Sequence, residues 1–546
     1  MHCRANPRAI IAGLHPTYES LRQDFRWQVP ERFNIGVACS DSHPSRLPGL
    51  ITVSASGERT THTFGQLAET SNRLANGLRG LGVQLGDRVG IVVPQSLETG
   101  VTHLALYKIG AIALPLASLF GPDALAFRLG DSDARAVVTT PENLPKVAEA
   151  VLGLDVTVIV TGTGATGLIS FESLVSSGSS KLEPVETPAE HPAFLVYTSG
   201  TTGPPKGALH AHRSLIGHLP AFELYYEFYP KQTDIHWTPA DWAWIGGLMD
   251  SLMPSWYHGR PVVTADHDFD PQWALDLMRS ERITCAFLPP AALKMMRAAE
   301  VTAPELTLRA VFTGGETLGE EMLAWGQESL GTVINEGYGQ TEANLTVGNC
   351  ASVWPIQPGS MGRAMPGHTV EVIDDDGHPV RNATGEIVVR GPDPVFMLRY
   401  WNQPEATAAK YRDGWLLTGD LGVRDDAGYL WFVSRKDDVI NSMGYRIGPG
   451  EIEESLLGNG SVAACAVVAV PDEIKGQVPV AFVVTRPGYE PSEMLAAELQ
   501  EHVRTRLAAH EVPRTVYFID EMPQTTTGKT MRRVLREMAA DRQGDR

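Results

Sequence analysis

Between Asp87 and Gly339, short runs of Val, Ile and Leu alternate with segments of helical spacing, and this alternation restricts the fold more than any other feature. Arg88–Pro94 reads as a buried strand and Leu97–Ala111 as the helix that follows it. The strand pattern recurs at Ala136–Thr140, Thr157–Gly162, Phe194–Ser199, Arg260–Ala265, Ile283–Pro289, Arg309–Gly314 and Thr332–Glu336. Pro271–Arg282 and Glu320–Leu330 carry helical spacing between them. A strand that is apolar at every position has no face to give to water, so it belongs in a parallel sheet covered by helices on both sides. The fold class is α/β.

After Pro366 the texture changes. Val370–Asp374, Glu386–Arg390 and Tyr429–Val433, with turn signals at Asp376-Gly377 and Asp426-Ala427-Gly428, predict a small antiparallel β unit over about 366–436. From Ile447 onward a helix (Gly450–Leu457), strands (Cys465–Val470, Val478–Thr485), a helix (Ser492–Leu507), a strand (Thr515–Ile519) and a last helix predict a small α+β C-terminal domain. Arg435–Asp438 is the junction, dividing the chain into a large unit over 1–436 and a small one over 437–546.

The 45 basic and 64 acidic residues give a formal net charge of −19, a surface that repels nucleic acid and anionic membranes. An anionic ligand must then be held by a local cluster of cations and backbone N–H groups. The five cysteines form no CxxC pair, which argues against a disulfide framework or zinc site and for a reducing compartment. The longest apolar run, Ile109–Phe120, contains Pro115 and is too short to span a bilayer. A cytoplasmic protein is expected, with its oligomeric state open.

Four stretches carry chemistry. Thr198-Ser-Gly-Thr-Thr-Gly203, followed by Lys206, is rich in hydroxyls and glycines and can wrap phosphate oxygens with backbone N–H groups, Lys206 adding a cation. It is read as lying between a strand and a helix. It is not a Walker A loop, because Pro205 stands where the second glycine should be and Gly207 follows the lysine. Asn335-Glu-Gly-Tyr-Gly-Gln-Thr-Glu342 ends another strand, and Glu342 has the chemistry of a magnesium ligand. Trp415-Leu-Leu-Thr-Gly-Asp420 offers a carboxylate suited to a ribose diol. Pro523-Gln-Thr-Thr-Thr-Gly-Lys529 places a lysine in a loop near the C-terminus. No GxSxG or HExxH occurs, so serine and metal hydrolases have no support. His210 and His212 read as helix surface.

Together these stretches, with Ser434–Glu453 (SRKDDVINSMGYRIGPGEIE), resemble the adenylate-forming superfamily, and the branch of acetyl- and medium-chain acyl-CoA synthetases within it. The resemblance runs from about Thr63 to Arg533, with the motifs in the family's order. It implies an enzyme that activates a carboxylic acid with ATP and Mg2+ as acyl-AMP, releasing pyrophosphate, and then transfers the acyl group to coenzyme A. Loading of a carrier protein in trans is the alternative.

By that likeness Thr198, Ser199, Gly200, Thr201, Thr202, Gly203 and Lys206 would hold the β- and γ-phosphates. Gly315, Glu316, Glu336, Gly337 and Tyr338 would border the adenine, and Asp420 would bind the ribose. Thr341 and Glu342 would organise Mg2+, and Arg435 would contact ribose and phosphate. Lys529 would neutralise charge where the carboxylate attacks the α-phosphate. Asp437 matches a hinge about which the C-terminal domain turns, bringing Gly444 and Arg446 to the thioester step. Trp242, Trp244, Gly246, Gly247 and Gly339 would form the acyl pocket. Acetate-specific relatives carry Trp where Gly339 stands, so the volume there is expected to be free and the acid longer than propionate, branched and aromatic acids included.

Overall fold

The computed structural model describes residues 9–11, 17–162, 168–198, 205–316, 318–442, 445–472, 475–507, 511–525 and 529–544. Among the described residues the strands form three sheets. The first has a parallel centre of Val262–Ala265, His236–Trp237, Cys285–Phe287, Ala310–Gly314 and Ile334–Gln340. The second has Ile112–Pro115, Arg88–Val92, Ala134–Thr139 and Thr157–Val160 running parallel. Their strands are buried along almost their whole length, as continuous apolar runs require. The helix Leu97–Ile109 begins at Ser96, whose side chain caps the Thr99 amide, and ends at left-handed Gly110. Eleven of its thirteen residues are buried, because it is covered on several sides.

Two features depart from the sequence reading. The stretch after the hydroxyl-rich loop is not helical: Lys206–Ala211 returns as a strand antiparallel to Pro192–Thr198, with Thr198 opposite Lys206. The edge strand Arg399–Tyr400 pairs with its other side, so both backbone edges are satisfied and a helix would forfeit them. The helix starts only at Ser214. His210 and His212 are therefore not surface groups but fully buried. His210 stacks on Phe194 at 4.8 Å, and His212 Nδ1 accepts the Ile35 amide at 3.1 Å.

The second departure concerns the β unit, which continues the first sheet. Ile334–Gln340 turns back as Ala343–Gly348, which pairs with Gly362–Ala364. That strand pairs with Tyr429–Arg435, and Trp415–Arg424, Thr384–Arg390 and Val370–Ile373 follow. One hydrogen-bonded surface thus connects the motif at 335–342 to the strands bearing Asp420 and Arg435.

A short 3-10 turn, Lys436–Asp438, leads into the C-terminal domain, where Val462–Asp472 and Gly476–Thr485 form a long antiparallel pair. Lys436 is tied back to Glu386 of the large unit at 2.9 Å. On the other side of the turn, Arg536 of the last helix binds the Asp438 carboxylate. The junction is thus anchored at residues two apart to two different bodies. No described helix is long and apolar enough to cross a membrane.

Candidate active site

The facing pair Thr198 and Lys206 closes the hydroxyl-rich loop at its neck. Ser199, Gly200, Thr201, Thr202 and Gly203 lie outside the described residues. At the neck, the Lys206 ammonium sits 5.5 Å above the Tyr400 ring, and the Tyr400 hydroxyl donates to the Glu342 carboxylate. The Met397 amide also donates to the Glu342 carbonyl at 2.9 Å. A cation, an aromatic ring and a carboxylate from three distant segments thus form one row. Tyr400 had no signal in the sequence; only the pairing of Arg399–Tyr400 with Ala208 and Leu209 brings it here.

Beside this row lies Asp420, buried and directly opposite Arg435 on the neighbouring strand. Its Oδ2 accepts from the Tyr338 hydroxyl at 2.6 Å and from Gln340 Nε2 at 3.0 Å. Its Oδ1 is 2.9 Å from Arg435 Nη1, but that contact is not aligned as a hydrogen bond, so one buried carboxylate oxygen keeps a lone pair for a ligand hydroxyl. Burial pushes the Asp420 carboxyl up, opposed by Arg435 and by the Tyr338 hydrogen bond. Lys410 holds the group in place. Its ammonium donates to Gln340 Oε1 at 3.3 Å and to the Leu417 and Thr418 carbonyls at 3.2 Å, which turns the Gln340 amide nitrogen toward Asp420.

Lys529 comes to this cluster from the C-terminal domain. Its loop is pinned by the Thr525 amide to the Lys529 carbonyl at 2.7 Å and by the Lys529 amide to Thr525 Oγ1 at 3.1 Å. The side chain reaches the large unit at Gly315. A Cβ placed on Gly315 would lie 3.6 Å from Lys529 Cε and 3.9 Å from Nζ. Gly315 has φ +107°, open to glycine and strained for other residues, so the lysine passes over bare backbone. Lys529 keeps solvent contact, yet enough protein surrounds it that desolvation and Arg435 lower its pKa, while Asp420, Glu316 and Glu342 oppose them. Glu316 is paired with Lys294 at 2.5 Å.

Other residues assigned from sequence are held by contacts of their own. Glu336 points its carboxylate at the Leu318 amide, 3.0 Å away, and burial pushes its pKa up to about 8. A Cβ on Gly337 would meet Phe312 at 2.6 Å and Tyr225 at 2.7 Å, so that glycine serves the core. Trp242 is fully buried in the core, and Gly247 is pressed against the Asp241 carbonyl. Trp244 is partly exposed and meets Phe120 edge-on at 5.7 Å. Gly246 lies against the Phe287 ring. Thr341 sits in the turn between Gln340 and Ala343. Gly444 and the Arg446 side chain lie outside the described residues, although the Arg446 backbone pairs with Asn441.

Gly339 requires a correction. The space beside it is not free: a Cβ there would come 2.4 Å from the Leu345 nitrogen and 2.8 Å from the Asn344 Cα. The tight turn into Ala343–Gly348 folds its backbone over this position, so glycine is needed for close approach.

Residues 41–401 match the family described as AMP-binding enzyme, and residues 451–529 match the AMP-binding enzyme C-terminal domain. The chain is 36% identical over 525 residues to the acyl-coenzyme A synthetase ACSM4, mitochondrial, of Rattus norvegicus, covering 94% of this chain and 89% of that protein. It is 35% identical over 488 residues to the acetyl-coenzyme A synthetase of Bacillus subtilis (strain 168), covering 87% and 84%. Among solved structures, ATP-bound MatB from Rhodopseudomonas palustris superposes with a TM-score of 0.83 at 28% identity, covering 93% of this chain and 99% of that one. Apo MatB, with the same identity and coverage, gives 0.72.

Proposed function

We propose, for a chain that belongs to the AMP-binding enzyme family and is an AMP-forming acid–coenzyme A ligase, that the geometry around Lys529 is that of the adenylation step and that the acid is short or medium in length, branched and aromatic acids included. The observation that carries this reading is the position of Lys529, which crosses from the C-terminal domain to Gly315 and feels the charges of Arg435, Asp420, Glu316 and Glu342. The higher TM-score with ATP-bound than with apo MatB supports the same arrangement.

In the first step an oxygen of the substrate carboxylate bonds to the α-phosphorus of ATP, and the bond to the bridging oxygen breaks, releasing pyrophosphate. Two anions must approach, so the main work is charge compensation and alignment. Lys529 and Arg435 supply positive charge, the loop Thr198–Lys206 holds the leaving phosphates, and Asp420 Oδ1, ion-paired with Arg435 but accepting no hydrogen bond from it, accepts from the ribose. Glu342, steadied by Tyr400, would hold Mg2+ together with phosphate oxygens, the single-carboxylate arrangement that suits this ion. In the second step the coenzyme A sulfur bonds to the acyl carbon and AMP leaves. Turning about Asp437 would withdraw Lys529 and bring in the segment of Gly444 and Arg446. The differing anchors of Lys436 and Asp438 fit such a hinge.

The two relatives, named for an acyl and an acetyl substrate, are almost equally similar and so do not choose the acid. Gly246, bare of a side chain against the Phe287 ring, supports an acid longer than propionate, whereas Gly339, closed off by the Asn344–Leu345 backbone, does not. The charge balance and the absence of a CxxC pair in the sequence favour a cytoplasmic, reducing location. The test is acid-dependent ATP–pyrophosphate exchange, followed by coenzyme A-dependent AMP release, over a panel from acetate to hexanoate and benzoate. Exchange with the longer acids and thioester formation are expected. A higher specificity constant for acetate than for every longer acid would overturn the assignment of acid size.

A further inference from the structure

We infer that Asp250 and Asn344 form a polar floor to the acyl pocket and select acids bearing an oxygen acceptor, a hydroxyl or an oxo group, along the carbon skeleton. This rests on the ligase reading and on Trp244–Gly247 as the pocket wall.

Asp250 lies in Leu248–Leu252, a π-helical turn that follows Ile245–Gly247. Such turns displace a side chain from its ordinary helical direction and often occur at functional positions. Asp250 Oδ2 comes 3.6 Å from where a Cβ on Gly246 would stand, which puts the carboxyl one turn below the candidate wall. Only 5% of Asp250 is exposed. Its Oδ1 accepts from Asn344 Nδ2 at 2.6 Å, and its backbone carbonyl accepts from the Tyr226 hydroxyl at 3.0 Å. Its Oδ2 has no partner among the described residues.

The other half of the pair is held under strain. Leu345, next to Asn344, has φ +57°, a left-handed conformation that a leucine adopts only where its surroundings impose it. The same turn presses the Asn344 backbone onto Gly339. A π turn, a left-handed leucine and an obligatory glycine thus converge on one side-chain pair.

The surroundings decide the sign of the interaction. The Asp250 carboxyl faces Tyr225, Tyr226 and the Gly246–Phe287 contact, with no cation against it among the described residues. Burial raises its pKa well above the carboxylate range, although Asn344 opposes the shift. The protonated carboxyl accepts at Oδ1 and donates from Oδ2, which calls for an oxygen acceptor on the ligand. An unsubstituted chain would leave that donor unpaired, and an acid with a second carboxylate would bring a charge into an uncompensated site.

The test compares matched acids, levulinate against valerate and para-hydroxybenzoate against benzoate, by specificity constants for AMP release. The wild-type protein is expected to prefer the oxygenated member of at least one pair by about tenfold or more, as a site built for a hydrogen bond discriminates against its absence. Asp250→Leu should reverse that preference, and Asp250→Asn, which keeps a donor, should retain it. If Asp250→Leu does not fold, Asn344→Leu is expected to narrow the preference by releasing the carboxyl. A wild-type preference for the plain acid in both pairs, or an equal loss for both members on substitution, would overturn the inference and leave the ligase reading standing. Absence of exchange with every acid would instead overturn the ligase reading, and the inference with it.

Discussion

Asp420 and Arg435 face each other across two adjacent antiparallel strands, carboxylate to guanidinium at 2.9 Å, and Lys529 from the C-terminal domain arrives beside them. The pair belongs to the large unit alone, whereas the lysine belongs to a domain joined to it through a short turn. Of the cations described at the site, Lys206, Lys410 and Arg435 belong to the large unit and Lys529 alone comes from the C-terminal domain.

Lys529→Ala should lower acid-dependent ATP–pyrophosphate exchange by about a hundredfold or more, the usual effect of deleting one preorganised electrostatic group. Thioester formation from supplied acyl-adenylate should be largely kept. Equal loss in the two assays would refute the turning of the C-terminal domain between the steps.

Tyr400→Phe keeps the ring beneath Lys206 but deletes the hydroxyl bound to Glu342. A hydrogen bond to a charged group is worth about 1.5–3 kcal/mol, so exchange at limiting Mg2+ should fall about tenfold or more. Raising Mg2+ should restore part of it. An unchanged dependence on Mg2+ would separate Tyr400 from the metal.

Glu336 titrates at about 8 in the folded protein, raised by burial. A raised carboxyl pKa means that the folded state holds a proton the unfolded state has lost, so this stabilisation is complete below the ordinary carboxylate range and disappears as pH rises through about 8. Glu336→Gln mimics the protonated form and still accepts from the Leu318 amide. The stability of the variant relative to wild type should increase with pH across that window, measured by urea unfolding at successive pH values. A difference independent of pH would show that the carboxyl is ionised in the fold.

Gly339→Ala drives a Cβ into the Asn344–Leu345 backbone. Overpacking of this kind costs about 1–3 kcal/mol, so the urea midpoint should fall and exchange should weaken because Tyr338 and Gln340 share the strand. Unchanged stability would mean that the turn yields easily, and the pocket could then be narrowed from this position.

The local pattern of the sequence determined the α/β class, most strand positions, the two-unit division and the chemical character of Lys206, Glu342, Asp420 and Lys529. These follow from periodicity and from residue types close together in the chain. The tertiary structure alone decided that Lys206–Ala211 is a strand, that His210 and His212 are buried, and that the β unit continues the parallel sheet. It also decided that Tyr400 steadies Glu342, that Lys410 orients Gln340, and that Asp250 meets Asn344. These partners are 58, 70 and 94 residues apart in the chain, and no local propensity carries that information. They meet because strand order and close backbone approach at glycines set which side chains share a volume, a property of the packed chain as a whole.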